Sequence, residues 1–117
     1  MYIQKPDVYQ GSKEVKFILT LMDGSQVVNA SLFTSMSIVG NGPRAHKFTG
    51  NVTLTSVQDG GSGDGQDGKV TFVSSSSGEG DFPYSGDYHM QVVCQTATGE
   101  WPSEIYSIKV GRKLKSN

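Results

Sequence analysis

Several things are scarce in this chain, and each scarcity closes off a class of protein. There is one cysteine, Cys94, in 117 residues, so no internal disulfide framework holds the fold together. Net charge is nearly absent: 10 Lys and Arg against 11 Asp and Glu leave −1. A nucleic-acid protein normally carries a basic field, so no nucleic-acid partner is expected. Long apolar runs are missing too. The best is Phe17-Ile18-Leu19-Thr20-Leu21-Met22, far below the roughly 18 residues of a membrane helix, and no membrane partner is expected. A secretory signal needs an apolar run of about 7–15 residues near the start, but Pro6 and Asp7 interrupt the N-terminus first. The chain is therefore expected to be soluble and made in a cytoplasm. Asn29-Ala30-Ser31 and Asn51-Val52-Thr53 then match the glycosylation pattern by chance.

Helical periodicity is also lacking, and alternation takes its place. Val15, Phe17, Leu19 and Leu21 fall on one face of a strand over Glu14–Leu21, and Lys16, Ile18 and Thr20 on the other. Asp23-Gly24 signals a hairpin, with a short return at Gln26–Val28. Further strands are expected at Leu32–Val39, His46–Thr49, Asn51–Val57, Lys69–Ser74, Asp87–Thr96 and Glu104–Val110. Gly50 is read as a bulge or turn between two of them. Along Asp87–Thr96, Tyr88, Met90, Val92 and Cys94 share the inward phase. In the last strand Tyr106, Ile108 and Val110 oppose Ile105, Ser107 and Lys109. Trp101 follows a turn and reads as a plug at one end of the core rather than a mid-strand residue. The 15 Gly and 15 Ser gather at turns and in two loops, Asp59–Gly68 and Ser74–Gly80, read as flexible and solvated. An apolar fraction of 35% still supplies a modest core. Seven or so antiparallel strands in about 100 residues point to an all-β, immunoglobulin-like β-sandwich. The expected organisation is an N-terminal arm over 1–13, the sandwich over 14–110 and a basic C-terminal tail over 111–117.

Chemistry finds little footing. His46 and His89 lack neighbours at metal-ligand spacing, and Cys94 sits in a core phase where a thiol is inert. No Gly-x-Ser-x-Gly elbow or phosphate loop occurs. Asp59, Asp64 and Asp67 are hard oxygen donors, but they do not fit a calcium-loop register or a repeated nonapeptide. The expectation is a non-enzymatic protein with no cofactor and no metal. Phe82 and Tyr84, in Asp81-Phe82-Pro83-Tyr84, are open to two readings: a contact patch at a loop tip, or a cover over the end of the sandwich.

Certain residues fall into a familiar order. They are Met22-Asp23-Gly24-Ser25-Gln26-Val27-Val28, then Gly68-Lys69-Val70-Thr71-Phe72, then Tyr84-Ser85-Gly86-Asp87-Tyr88-His89-Met90-Gln91-Val92, and last Gly99-Glu100-Trp101-Pro102-Ser103-Glu104-Ile105-Tyr106-Ser107-Ile108-Lys109-Val110. Over about residues 14–110 the chain resembles the immunoglobulin-like N-terminal domain of phage upper-baseplate proteins and related small phage virion proteins. The resemblance implies the sandwich fold and a structural role in the virion, after synthesis in the host bacterial cytoplasm. Without a following fibre or head domain, a small capsid-decorating or adaptor component is expected. Its partners would be major capsid or tail and baseplate proteins. Candidate contact residues are Tyr2, Ile3, Tyr9, Phe82, Tyr84, Arg112, Lys113 and Lys115. The alternative is a module that binds a host-surface glycan, with Tyr84, Trp101, Gln91 and Gln95 as its stacking and hydrogen-bonding groups.

Overall fold

A computed structural model describes residues 2–4, 8–78 and 80–112. Its strands in chain order are β1 (Tyr2–Gln4), β2 (Lys16–Thr20), β3 (Met22–Asp23), β4 (Gln26–Val27), β5 (Ser35–Asn41), β6 (Lys47–Leu54), β7 (Lys69–Val73), β8 (Gly86–Gln95) and β9 (Glu100–Val110). β3 and β4 form a separate small hairpin. The other seven are hydrogen-bonded in the order β1-β2-β7-β6-β5-β8-β9, every pair antiparallel. With the long strands lettered A to G along the chain, this is A-B-E-D followed by C-F-G, the order of the constant-type immunoglobulin sandwich.

The two layers meet along β6. Its first half pairs with β5, from Lys47 opposite Asn41 to Asn51 opposite Ser37. Its last three residues, Val52 to Leu54, pair instead with β7. The sheet therefore folds over within one strand, and the sequence expectation of two strands divided at Gly50 is replaced by one strand that changes neighbours. Gly50 is where the close approach occurs, since a Cβ there would lie 2.5 Å from the Phe72 ring.

One apolar core fills the space between the layers. Phe17, Leu19 and Leu21 from the β2 region, Val70 and Phe72 from β7, and Tyr88, Met90, Val92 and Cys94 from β8 are all buried, as their phase predicts. So are Tyr106, Ile108 and Val110 from β9. The aromatic residues pack as a cluster: Phe48 lies 6.0 Å from Phe72 and 5.5 Å from Phe82, and Phe82 lies 5.2 Å from Tyr88. Edge-on contacts such as the last two set the positive rim of one ring against the negative face of the next. Phe82 is therefore fully buried, and as a core residue it offers no surface for a partner.

Tyr88, the third residue of β8, ties the β7–β8 connection to the core. Its hydroxyl donates to the Tyr84 carbonyl at 2.8 Å and accepts from the Tyr84 amide at 3.1 Å. This is the tyrosine corner of immunoglobulin-like domains. It lets a buried tyrosine satisfy its polar tip while its ring fills the core.

The structure departs from the sequence reading in four further places. The strand expected over Leu32–Val39 starts later: Ala30–Leu32 is a short 3₁₀ turn and Leu32 is exposed. The Asn29 carboxamide caps that turn by accepting from the Ser31 amide, so a local polar bond displaces the strand pattern. The last strand starts earlier than expected. Trp101 pairs with Cys94 within it and stacks on Phe33 at 5.9 Å. The described residues of the segment expected as an N-terminal arm join the sandwich: β1 pairs with β2, Val8 is buried, and Tyr9 bridges Gly111 in parallel. Finally, the Asp59–Gly68 loop is fastened at many points. The Asp64 carboxylate accepts from the Ser62 hydroxyl and the Gln66 amide, and Asp67 accepts from the Ser62 and Lys69 amides. Main-chain bonds from Ala30 to Gly65 and from Leu21 to Gly68 dock it on the sandwich.

Candidate functional site

In a sandwich the inward side chains make the core, so function falls to loops and outer faces. The outer face of β6-β5-β8-β9 carries two of the exposed large apolar residues, Val39 and Ile105. The register aligns Thr49, Val39, Gln91 and Ile105 in one row across all four strands. The next row is Lys47, Asn41, His89 and Ser107. Ile105 is 56% exposed and Val39 40%, so two β-branched side chains stand in water at the centre of a polar frame. Gln91 is held by its side-chain amide, which donates to the Ser103 carbonyl at 2.7 Å. The His89 Nδ1 and the Ser107 hydroxyl are 3.0 Å apart.

This face is dished rather than flat. The β8–β9 register shifts between Gln91 and Val93, where β9 carries one extra residue. A bulge bends its strand and increases the local twist. The result is a shallow depression of about 260 Å³ lined by Val39, Asn41, Lys47, His89, Gln91 and Ile105, among others. An apolar centre with a polar rim is the anatomy of a docking surface.

A second feature sits at the β5–β6 tip. Arg44 and Ala45 both have positive φ, 59° and 58°, a conformation that costs an L-residue about 1–2 kcal/mol. The turn sets the Arg44 guanidinium 5.0 Å from the centre of the Tyr84 ring. His46, beside them, has its Nε2 2.9 Å from the Asp81 carbonyl oxygen. Tyr84 is thus half-buried, with one ring face covered by Arg44.

The candidate contact residues are distributed as follows. Tyr9 is exposed, and the Tyr9–Gly111 bridge brings it beside exposed Arg112 at the end of β9. Tyr2 and Ile3 lie on β1, at one edge of the sheet. Lys113 and Lys115 lie outside the described residues. The glycan-binding set does not converge. Tyr84 precedes β8, whereas Trp101 pairs with Cys94 near the far end of that strand. Eight residues of β-strand separate those levels by roughly 26 Å at 3.3 Å per residue. Gln95 is engaged with Glu100 at 3.3 Å.

Titration fits the packing. Burial pushes the Cys94 thiol up to about 11. Burial likewise raises the Tyr88 and Tyr106 phenols. The Asp64 carboxyl is lowered, first by the Ser62 hydroxyl and then by the Gln66 amide. At Asp67 burial works upward, but the amides of Lys69 and Ser62 outweigh it and the net shift is downward. Among the described residues, no three His, Cys, Asp or Glu side chains gather in a metal-binding arrangement. Val39, Ile105 and Arg44 were not singled out from the sequence. The available signal was an isoleucine on the outward phase of the last strand, in step with Ser107 and Lys109. Compared with known protein families, curated proteins and solved structures, the chain matches none of them.

Proposed function

We propose that the chain is a non-enzymatic docking domain, a small structural component of a phage particle that seats the outer face of β6-β5-β8-β9 on a neighbouring virion protein. The observation that carries the docking role is the dished face with Val39 and Ile105 exposed inside a polar frame. The phage assignment rests on the resemblance over residues 14–110, with which an antiparallel β-sandwich is compatible. Many copies on a symmetric shell need only weak individual contacts, because neighbouring sites raise the effective concentration. Truncating or charging the centre of such a face removes most of the attachment, since a few central residues dominate binding.

The test uses virus particles purified from the source of the sequence. Mass spectrometry of the particles should find the protein in fixed proportion to the major capsid or tail protein. A variant with Val39→Asp and Ile105→Asp should fold, judged by circular dichroism, and fail to co-sediment with particles. Absence from purified particles sinks the virion role. Unchanged co-sedimentation of the folded variant sinks the assignment of the face.

A further inference from the structure

Val39 on β5 and Ile105 on β9 stand on either side of Gln91, in one row of the outer face. Neighbouring strands lie about 4.8 Å apart, so roughly 9.6 Å separates these two walls. The Gln91 side chain is drawn aside to the Ser103 carbonyl at 2.7 Å, and the shallow depression lies over the row. An aliphatic side chain touching both walls, at about 4 Å from each, matches that span.

The adjoining row, Lys47, Asn41, His89 and Ser107, begins two residues along the strands, about 7 Å away. All four residues are exposed. Among the described residues, nothing pairs with the Lys47 ammonium or the Asn41 carboxamide. His89 has its Nδ1 on the Ser107 hydroxyl, and its Nε2 is left unpaired. Lys47 is the only Lys, Arg, Asp or Glu among the described residues that line the depression. Asp87, two residues before His89, stands opposite Lys109 in the β8–β9 pair. The slot is thus apolar, and unpaired donors with one positive charge stand beside it. A carboxylate complements such a set better than a neutral amide, because charge-assisted hydrogen bonds are the stronger ones.

We propose that this face takes an extended acidic segment of the partner protein, with an aliphatic side chain between Val39 and Ile105 and a carboxylate on Lys47 and Asn41. In an extended chain, side chains two residues apart share a face and stand about 7 Å from each other. That is the spacing of the two rows, so the segment carries its aliphatic and acidic residues two positions apart. The assignment rests on the docking reading above and gives the partner a chemistry.

The probe is a blocked pentapeptide with leucine and, two residues on, glutamate, titrated into the isotope-labelled full chain and followed by NMR. Amide shifts should move at Val39, Asn41, Lys47, His89 and Ile105, with a dissociation constant on the order of 1 mM. Replacing the glutamate by glutamine should weaken binding about threefold or more, and replacing the leucine by serine about fivefold or more. Lys47→Gln, whose spectrum also reports its fold, should bind the glutamate and glutamine peptides equally. No movement at these amides at about ten times that concentration overturns the proposal. So do equal affinities of the native chain for the two peptides, or a preference for glutamate that survives in Lys47→Gln. The particle experiment fails separately: a chain that binds the acidic peptide but is absent from particles loses only its virion role. A chain that co-sediments through this face yet ignores the peptide loses only the acidic partner.

Discussion

The close contact between Gly40 and Phe48 offers a sharp test of how the core is built. Gly40 lies opposite Phe48 in the β5–β6 pair. A Cβ on Gly40 would meet the ring's Cζ at 2.2 Å and its Cε1 at 2.4 Å. Without that ring, alanine would be the better strand residue by about 0.5–1 kcal/mol, because glycine loses more backbone entropy on folding. With it, the ring has to move. Phe48 is only 7% exposed and is hemmed in by Phe72, Phe82, Tyr88 and His46, with centroids 5.5–6.5 Å away. Overpacking of this kind costs about 1–3 kcal/mol, so Gly40→Ala should lose a net 1–2 kcal/mol, roughly 4–8 °C in Tm. Phe48→Leu removes the very atoms that clash, since leucine ends short of Cε and Cζ. That change alone should cost about 1–2 kcal/mol, part of the roughly 3–5 kcal/mol for complete truncation. In its background Gly40→Ala should be neutral or slightly stabilising, which makes the coupling energy about 1–2 kcal/mol. Urea unfolding followed by the fluorescence of Trp101, stacked on Phe33, measures all four corners of the cycle. If the two changes add to within about 0.5 kcal/mol, or Gly40→Ala stabilises the native protein, the packing account is refuted.

Other outcomes follow from single contacts. Tyr88→Phe leaves the ring and removes the hydroxyl that both donates to and accepts from Tyr84; equilibrium unfolding should show a loss of about 1–2 kcal/mol. Ala45→Gly should stabilise by about 0.5–1 kcal/mol, since φ there is 58° and glycine adopts it freely; a measured loss would mean that the Ala45 methyl makes a contact worth more than the strain. Cys94, buried and with its thiol raised to about 11, should resist iodoacetamide at pH 8 and react at the rate of global unfolding, followed by intact mass. Below the folded pKa values of Asp64 and Asp67, both lowered, the Asp59–Gly68 loop should loosen. The sign follows from the shift: a depressed carboxyl contributes stability above its unfolded value near 4, and that contribution disappears as pH falls through the lower folded value. Amide exchange at Ser62 and Gln66, bonded to these carboxylates, reads the loss directly.

Much of the fold was legible because alternation is a local property. Phe17, Leu19 and Leu21, the set Tyr88, Met90, Val92 and Cys94, and the set Tyr106, Ile108 and Val110 declare their face by their spacing, and all are buried. The candidate surface was less legible. Phe82 is chemically the same whether it caps a core or greets a partner, and only the packing of Phe17, Phe48 and Tyr88 around it decides. Tyr84 reads as an exposed aromatic until Arg44, forty positions earlier in the chain, is found against its ring.

The sequence by itself determined that this is an all-β chain, where its strands alternate, and that Cys94 faces inward, since a period of two needs only neighbouring residues to be seen. Tertiary structure alone decided which strands are neighbours. Pairing β6 with β5 along one half and with β7 along the other folds a single sheet into two layers, and that is a contact between residues remote in sequence. The same long-range pairing aligns Thr49, Val39, Gln91 and Ile105 into one face and leaves β9 at the end of the sheet. Register between strands is set by the fit of a whole core, so that outer face exists only once that core has formed.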